Sequence, residues 1–270
     1  MGDTSVGGLG RVIARGRTAE IYAWRSRWVL KLFHSWMPLA AVQNEAEIAR
    51  AVHASGLPVP AVGDIVQVND RWGVVYERVV GDSLLSSLSR RPWRALAAFR
   101  ELAALHRQVH ARVVPGLPSL KERLAGKIAR AALPTESIRA CALDRLAGSP
   151  DGDSLCHGDF HPDNVLVTVA GPAIIDWIDA AHGDPAADVA RTLLLLSGGA
   201  PPPGVRFGPP MAALRKTAQW MYLQDYERHC PGIRDRARSW LPVVAAGRLS
   251  EGIREEQAQL QAFVRHHLTV

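Results

Sequence analysis

Cys156-His-Gly-Asp-Phe-His-Pro-Asp-Asn-Val-Leu-Val167, followed shortly by Ile174-Ile-Asp-Trp177, is the stretch on which the reading of this chain turns. Four titratable groups (His157, Asp159, His161, Asp163) and Asn164 fall within eight residues, between apolar runs. A loop this polar, entering a strand pair, is costly unless its groups satisfy one another or do chemistry. Two short strands are expected near Val165–Val169 and Ala173–Asp176, with Gly171-Pro172 turning between them. Asp176 then ends an apolar strand, and its carboxylate emerges from the core.

The spacing suits one kind of chemistry. An Asp at a loop tip accepts a hydroxyl proton, while an Asn five residues on and an Asp on the next strand hold Mg²⁺. Here those residues are Asp159, Asn164 and Asp176. Phosphoryl transfer asks for positioning and charge neutralisation, and this loop carries groups for both.

Working outward, Gly16 to Tyr22 and Trp28–Phe33 read as strands around Arg25-Ser26-Arg27. A helix is expected over 39–54, ended by Gly56 and Pro58. Strands follow at Asp64–Val68 and Trp72–Val80, with the turn at Asn69-Asp70. From Gly81 the pattern becomes helical: Asp82 or Ser83 caps one helix, Pro92 opens another to Arg112, and Ser119-Leu-Lys-Glu122 reads as a capping box. Gly198 to Pro210, with five prolines and four glycines, reads as a loop, and helix follows. The expected class is α+β, a small β-rich lobe over 1–80 and a larger, mostly helical lobe over 81–270.

His-Gly-Asp-Phe-His-Pro-Asp-Asn with Ile-Ile-Asp-Trp resembles the aminoglycoside phosphotransferase-type small-molecule kinases, relatives of choline kinases within the protein-kinase-like fold. The resemblance implies a bilobal fold, ATP and Mg²⁺ as cofactors, and a hydroxyl of a small molecule as acceptor. It asks for a strand lysine on the ATP phosphates. Lys31, the only charge in Trp28-Val-Leu-Lys-Leu-Phe33, fits, in a chain with four Lys against 28 Arg. It also asks for a helix carboxylate. Glu45 sits in the stripe Ala41, Glu45, Ile48, Val52, whereas Glu47 lies off it.

Ala14-Arg-Gly-Arg-Thr-Ala-Glu20 would cover phosphates through backbone amides near Gly16, with the Thr18 hydroxyl, although it lacks the glycine-rich pattern of protein kinases. Backbone groups from Glu77 to Val79 would take the adenine. His157 and His161 would brace the loop, and Asp188 matches the family's structural aspartate. Two departures are Asp163, where many relatives carry Gly, and Ile178, where many carry Glu. His106, sharing a helical face with Phe99, Leu102 and Val109, reads as a satisfied core histidine.

Composition frames this reading. Apolar residues are 47% and charged residues 21%, an ordinary soluble globular balance. No run approaches the roughly 18 apolar residues of a membrane span. A secretory signal is not expected from Met1-Gly2-Asp3, and three cysteines without paired spacing argue against disulfides and zinc. A cytoplasmic location is expected. The net charge of +6 divides into +9 over residues 1–150 and −3 over 151–270. No aromatic-interleaved basic cluster points to nucleic acid. The −3 half, with Asp179, Asp184, Asp225, Glu227, Glu251, Glu255 and Glu256, leans toward a cationic acceptor, an amino-sugar or amino-alcohol. The alternatives are a non-catalytic nucleotide-binding module and a protein kinase. Only 11 residues separate Asp176 from Asp188, too few for a peptide-docking segment, and no Ala-Pro-Glu follows.

Overall fold

The computed structural model describes residues 9–198 and 209–268. In chain order they form β1 (Leu9–Arg15), β2 (Ala19–Trp24), β3 (Trp28–Phe33), α1 (Leu39–Ala54), β4 (Val62–Val68), β5 (Arg71–Glu77) and β6 (Asp82–Ser83). Then come α2 (Leu84–Arg90), α3 (Ala95–His110), α4 (Leu120–Arg130), α5 (Glu136–Ala147), β7 (Ser154–Cys156), β8 (Val165–Thr168), β9 (Gly171–Ile174) and β10 (Ala181–Gly183). Helices α6 (Pro185–Gly198), α7 (Pro209–His229), α8 (Ile233–Arg248) and α9 (Arg254–Leu268) complete the chain. The expected α+β class, with a β-rich first part and a helical remainder, is what the structure shows.

Contacts divide the chain into two compact units: residues up to Ser83 with Val165–Ile178, and Leu84–Asn164 with Asp179 onward. The expected division at residue 80 put 165–178 in the second lobe. Backbone pairing is the reason for the difference, since β6 pairs with β8 and the amide of Ile174 donates to the carbonyl of Pro58 at 2.8 Å.

The first unit is built on a five-stranded antiparallel sheet in the order β1-β2-β3-β5-β4. Its hairpin turns use left-handed Arg25 and Asn69, the latter at the expected Asn-Asp turn. Strand alternation gives β3 two different faces. Leu30 and Leu32 pack with Val68 and Val75, while Phe33 packs with Val74 against Val42 and Ala46 of α1. Lys31 shares the Phe33 side, and so faces the helix. A smaller sheet, β6-β8-β9, carries the chain toward Asp176.

In the second unit α3 packs on α7 and α6 on α8. Two expectations about helix starts change. Pro92–Arg94 is a single 3₁₀ turn, with α3 beginning at Ala95. Ser119 stands at the N-cap of α4, but its side chain makes no cap bond. The cap bond forms instead at α5, where Thr135 Oγ1 accepts from the amide of Ile138 at 3.3 Å. The loop expected over 198–210 lies mainly outside the described residues; Gly198 ends α6, and Pro209 and Pro210 open α7.

Candidate active site

In the first unit the polar groups gather around Lys31. Its Nζ lies 2.7 Å from Glu45 Oε1 and 2.9 Å from Asp176 Oδ1. Glu45 occupies the buried face of α1 with Val42, Ala46, Ile48, Ala49 and Val52, while Glu47 is exposed. Tyr76 donates to Glu45 Oε1 at 3.0 Å, and Oε2 is buried with no partner. Burial opposes the Lys31 ammonium, but the carboxylates of Asp176 and Glu45 outweigh it and hold its pKa above the usual lysine value. Burial raises Glu45, with the Lys31 charge working against that rise. Among the described residues, Asp176 is one of three non-glycine residues at positive φ, 65°. A conformation that costly, at a carboxylate beside the buried lysine, makes Asp176 a candidate for a functional role.

The other first-unit candidates sit in hairpin and strand backbone. The amide of Gly16 donates to Ala19 O at 2.8 Å and so closes the β1–β2 turn, which occupies that N–H. Thr18 O accepts from the amide of His34 at 2.9 Å. Glu77 donates its amide to Ala61 O, and its Oε2 accepts the amide of Ala61 at 3.2 Å. The half-buried Val79 follows, after Arg78 has bonded Arg27 O.

In the second unit the loop after β7 is held from below by Asp188. This buried carboxylate accepts the amides of His157 at 2.5 Å and Gly158 at 2.9 Å. It also accepts from His106 Nε2 at 3.0 Å and His110 Nε2 at 3.2 Å. Their Nδ1 atoms lie 2.6 Å from Tyr222 and Tyr226 hydroxyls, so α3, α6 and α7 meet at one carboxylate. These three ligand-type groups could hold a metal by proximity alone, yet each already has its hydrogen-bond partners. Burial works to raise Asp188, but His106 and His110 pull it well below the usual carboxylate value. Gly158 has φ of 79°, and a Cβ there would meet Asp179 O at 2.5 Å, so only glycine fits.

Asp159 is the group this scaffold presents. Its Oδ1 accepts from Arg191 Nη2 at 3.0 Å, and Oδ2 lies 3.5 Å from His161 Nε2 and from Asn164 Nδ2. Its amide donates to His157 Nδ1 at 3.2 Å, and Asn164 Nδ2 donates to its carbonyl at 2.9 Å. His161 Nδ1 in turn accepts the amide of Asp163 at 3.3 Å. Burial raises the Asp159 pKa, yet His161, Arg191 and His157 together hold it far below the ordinary value. Asp159 is therefore a fixed, ionised hydrogen-bond acceptor.

Arg191, which the sequence reading did not name, belongs to this arrangement, and so does Glu251. Arg191 donates Nε to Gly158 O at 3.1 Å, and its Nη2 pairs with Glu251 at 2.6 Å as well as with Asp159. Glu251, expected to face an acceptor cation, meets Arg191 and Arg248 instead. A signal for Arg191 exists, since it stands three residues after Asp188 and so on the same helical face.

Oxygen ligands suit a hard cation such as Mg²⁺. The Asp176 carboxylate is of this kind. Asn164 commits its amide nitrogen to Asp159, and its side-chain oxygen is of the same kind. Each residue by itself offers an oxygen that fits such a metal.

A sequence profile of the phosphotransferase enzyme family matches residues 10–231. No curated protein matches by sequence. Among solved structures, an aminoglycoside-3'-phosphotransferase of type VIII is similar at TM-score 0.63 and 23% identity, over 91% of this chain and 93% of that one. An amicoumacin kinase in complex with AMP-PNP, Ca²⁺ and Ami is similar at TM-score 0.62 and 15% identity, over 96% and 87%. A choline/ethanolamine kinase family protein from Mesorhizobium loti is similar at TM-score 0.64 and 16% identity, over 97% and 89%. At these identities the likeness is one of fold.

Proposed function

The chain belongs to the phosphotransferase enzyme family, and from that premise we propose that it moves the γ-phosphoryl group of MgATP to a hydroxyl of a small molecule. The observation that carries the reading is the Lys31 ammonium held between Glu45 and Asp176. A buried lysine with two carboxylates is an expensive arrangement unless it meets charge brought by a ligand.

In this reading Lys31 grips the α/β-phosphates and Glu45 keeps it in place. Gly16 and Thr18 lie in the turn over the phosphates, and the backbone of Glu77 and Val79 takes the adenine. Asn164 and Asp176 would each offer an oxygen to Mg²⁺, which would supply charge neutralisation to the phosphates. Asp159 orients the acceptor hydroxyl. As the hydroxyl oxygen bonds the γ-phosphorus, the β–γ bridging P–O bond breaks, ADP leaves, and the hydroxyl proton passes to Asp159. His157, His161 and Asp188 keep the loop in shape. A cytoplasmic site of action belongs to the same reading, and among the described residues no helix is long and apolar enough to cross a membrane.

The neighbours named for aminoglycosides and for choline/ethanolamine favour an amino-sugar or amino-alcohol acceptor. A protein acceptor is disfavoured, because β10 and the first turn of α6 occupy most of the chain between Asp176 and Asp188. The test is ADP release from MgATP by purified protein across hydroxyl acceptors of several charge classes, with Asp159→Asn alongside. A hit in wild type that the variant lacks supports transfer. Turnover by Asp159→Asn at the wild-type rate sinks the assignment, and MgATP binding with no turnover anywhere favours a binding-only module.

A further inference from the structure

The turn between α8 and α9 places charges of alternating sign in a row that ends on Asp159. Arg248 stands in the last turn of α8 and Glu256 in the first turn of α9, a cation and an anion each at the helix end whose dipole favours it. Glu251 closes the 3₁₀ turn between them, just before the left-handed Gly252. Arg248 donates to Glu256 through two bonds, Nε to Oε2 at 2.9 Å and Nη2 to Oε1 at 3.0 Å. Arg248 Nη1 then pairs with Glu251 Oε2, Glu251 Oε1 lies 2.6 Å from Arg191 Nη2, and that same nitrogen lies 3.0 Å from Asp159 Oδ1. Arg191 also holds the Gly158 carbonyl through Nε at 3.1 Å.

Arg191, Arg248 and Glu256 are all buried, at 7, 8 and 6% exposure. Each arginine lies between two carboxylates, Arg191 between Asp159 and Glu251, Arg248 between Glu251 and Glu256. Removing one buried member leaves its neighbour without a counter-charge, and groups in one such network are coupled rather than additive. Two further charges act on the row from its sides, Asp179 on Arg191 and Glu256 on Arg215 of α7. Both are engaged elsewhere as well: Asp179 holds Lys127 at 3.0 Å, and Arg215 gives Nη1 to Ser197 O at 3.1 Å. An arginine side chain has many rotamers, and Asp159, whose side chain is 27% exposed, is by itself a loose anchor for one. Glu251 fixes the other side of the Arg191 guanidinium, and Arg248 with Glu256 fixes Glu251.

We propose that Arg248 and Glu256 are positioning residues for the transfer, acting on Asp159 through Glu251 and Arg191. The inference rests on the phosphotransfer reading above and deepens it, because it extends the site from the loop after β7 to the turn between α8 and α9. Neither residue bonds Asp159 itself. Their part is to keep the Arg191 guanidinium aimed, so that it holds the Asp159 carboxylate and the Gly158 carbonyl together and the acceptor oxygen stays in line. A row that only staples α9 to α8 would show itself in stability alone. A row that aims Asp159 shows itself in kcat.

The test reads the loop and the rate in the full chain. Glu256→Gln keeps the side-chain shape and removes the charge. Amide exchange in a peptide spanning residues 156–160 rises about tenfold, while α5, which packs on both α8 and α9, keeps its rate. For ADP release with kanamycin or choline as acceptor, kcat falls about tenfold with KM for MgATP unchanged, and Glu256→Asp, which retains the charge, recovers part of the loss. Glu256→Gln added to Arg191→Met costs no further kcat, because both break one row. Arg248→Lys, which keeps the charge and loses the fork, gives the same pattern and serves if Glu256→Gln is too unstable to purify. Wild-type kcat in Glu256→Gln, full additivity with Arg191→Met, or exchange that rises equally in α5 overturns the proposal. Loop exchange separates this failure from the other. An unchanged loop overturns the coupling whatever the turnover. A loop that loosens alone, in a protein whose wild type releases no ADP with either acceptor, upholds the coupling and counts against phosphotransfer to them.

Discussion

At Asp159 two opposing influences act on one carboxylate. Burial would neutralise it, and Arg191 with His161 keeps it charged. A carboxylate so stabilised is a weak base, so in the phosphotransfer proposed above its part is to hold the acceptor oxygen in line and take the proton late. Asp159→Asn keeps the shape and loses the charge; turnover falls by on the order of 10²–10⁴, read as ADP release at saturating MgATP. Arg191→Met tests the other half. It leaves Glu251 and Asp159 without their shared cation, and breaking a buried pair this way costs about 3–5 kcal/mol. The Asp159 pKa then rises, so the acid limb of the rate profile moves to higher pH. An unshifted limb in a folded Arg191→Met protein argues that Arg191 does not set the charge on Asp159.

Helix α6 does two jobs within its first two turns. Asp188 receives two loop amides and two imidazoles, and Arg191 reaches the Gly158 carbonyl and the Asp159 carboxylate. The loop after β7 is thus fixed by one helix from both ends of its polarity, N–H groups to the aspartate and C=O to the arginine. Asp188→Asn removes the charge and turns one acceptor oxygen into a donor facing donors. Stability drops by about 3–5 kcal/mol, measured by denaturant titration, and the loss exceeds that of Asp163→Asn on the exposed side of the same loop. Gly158→Ala strains the left-handed turn and meets Asp179 O, so it lowers the melting temperature as well. A Gly158→Ala protein as stable as wild type argues against that turn geometry.

Across the whole molecule, the buried His106 sets a pH response. Burial, and then His110, push the His106 pKa down to about 3. The unfolded chain takes up this proton near pH 6.5 and the folded one does not. Between those two values the unfolded state binds more protons, so stability falls as pH drops, by about 1.4 kcal/mol per pH unit for this one group. The depressed Asp188 adds loss in the same direction below its unfolded value. Melting temperatures from pH 7 to 4 show the decline, and His106→Gln flattens it. A decline of equal slope in that variant removes His106 from the account.

Local pattern carried much of this molecule. Lys31 is the only charge in the strand 28–33, and the helical repeat puts Glu45 on the buried face of α1, so both were legible in the sequence. The loop of His157 to Asn164 was legible for the same reason, because its groups lie close in sequence. What only the tertiary structure decided are the pairings between distant residues. Glu251 meets Arg191 across 60 positions, and Asp184 meets Trp240 across 56. Acids on helices read alike whether solvated, paired or waiting for a ligand, and the choice depends on which cation the fold carries to them. Which of these acids have internal partners is specified by packing, which leaves no local trace in the chain.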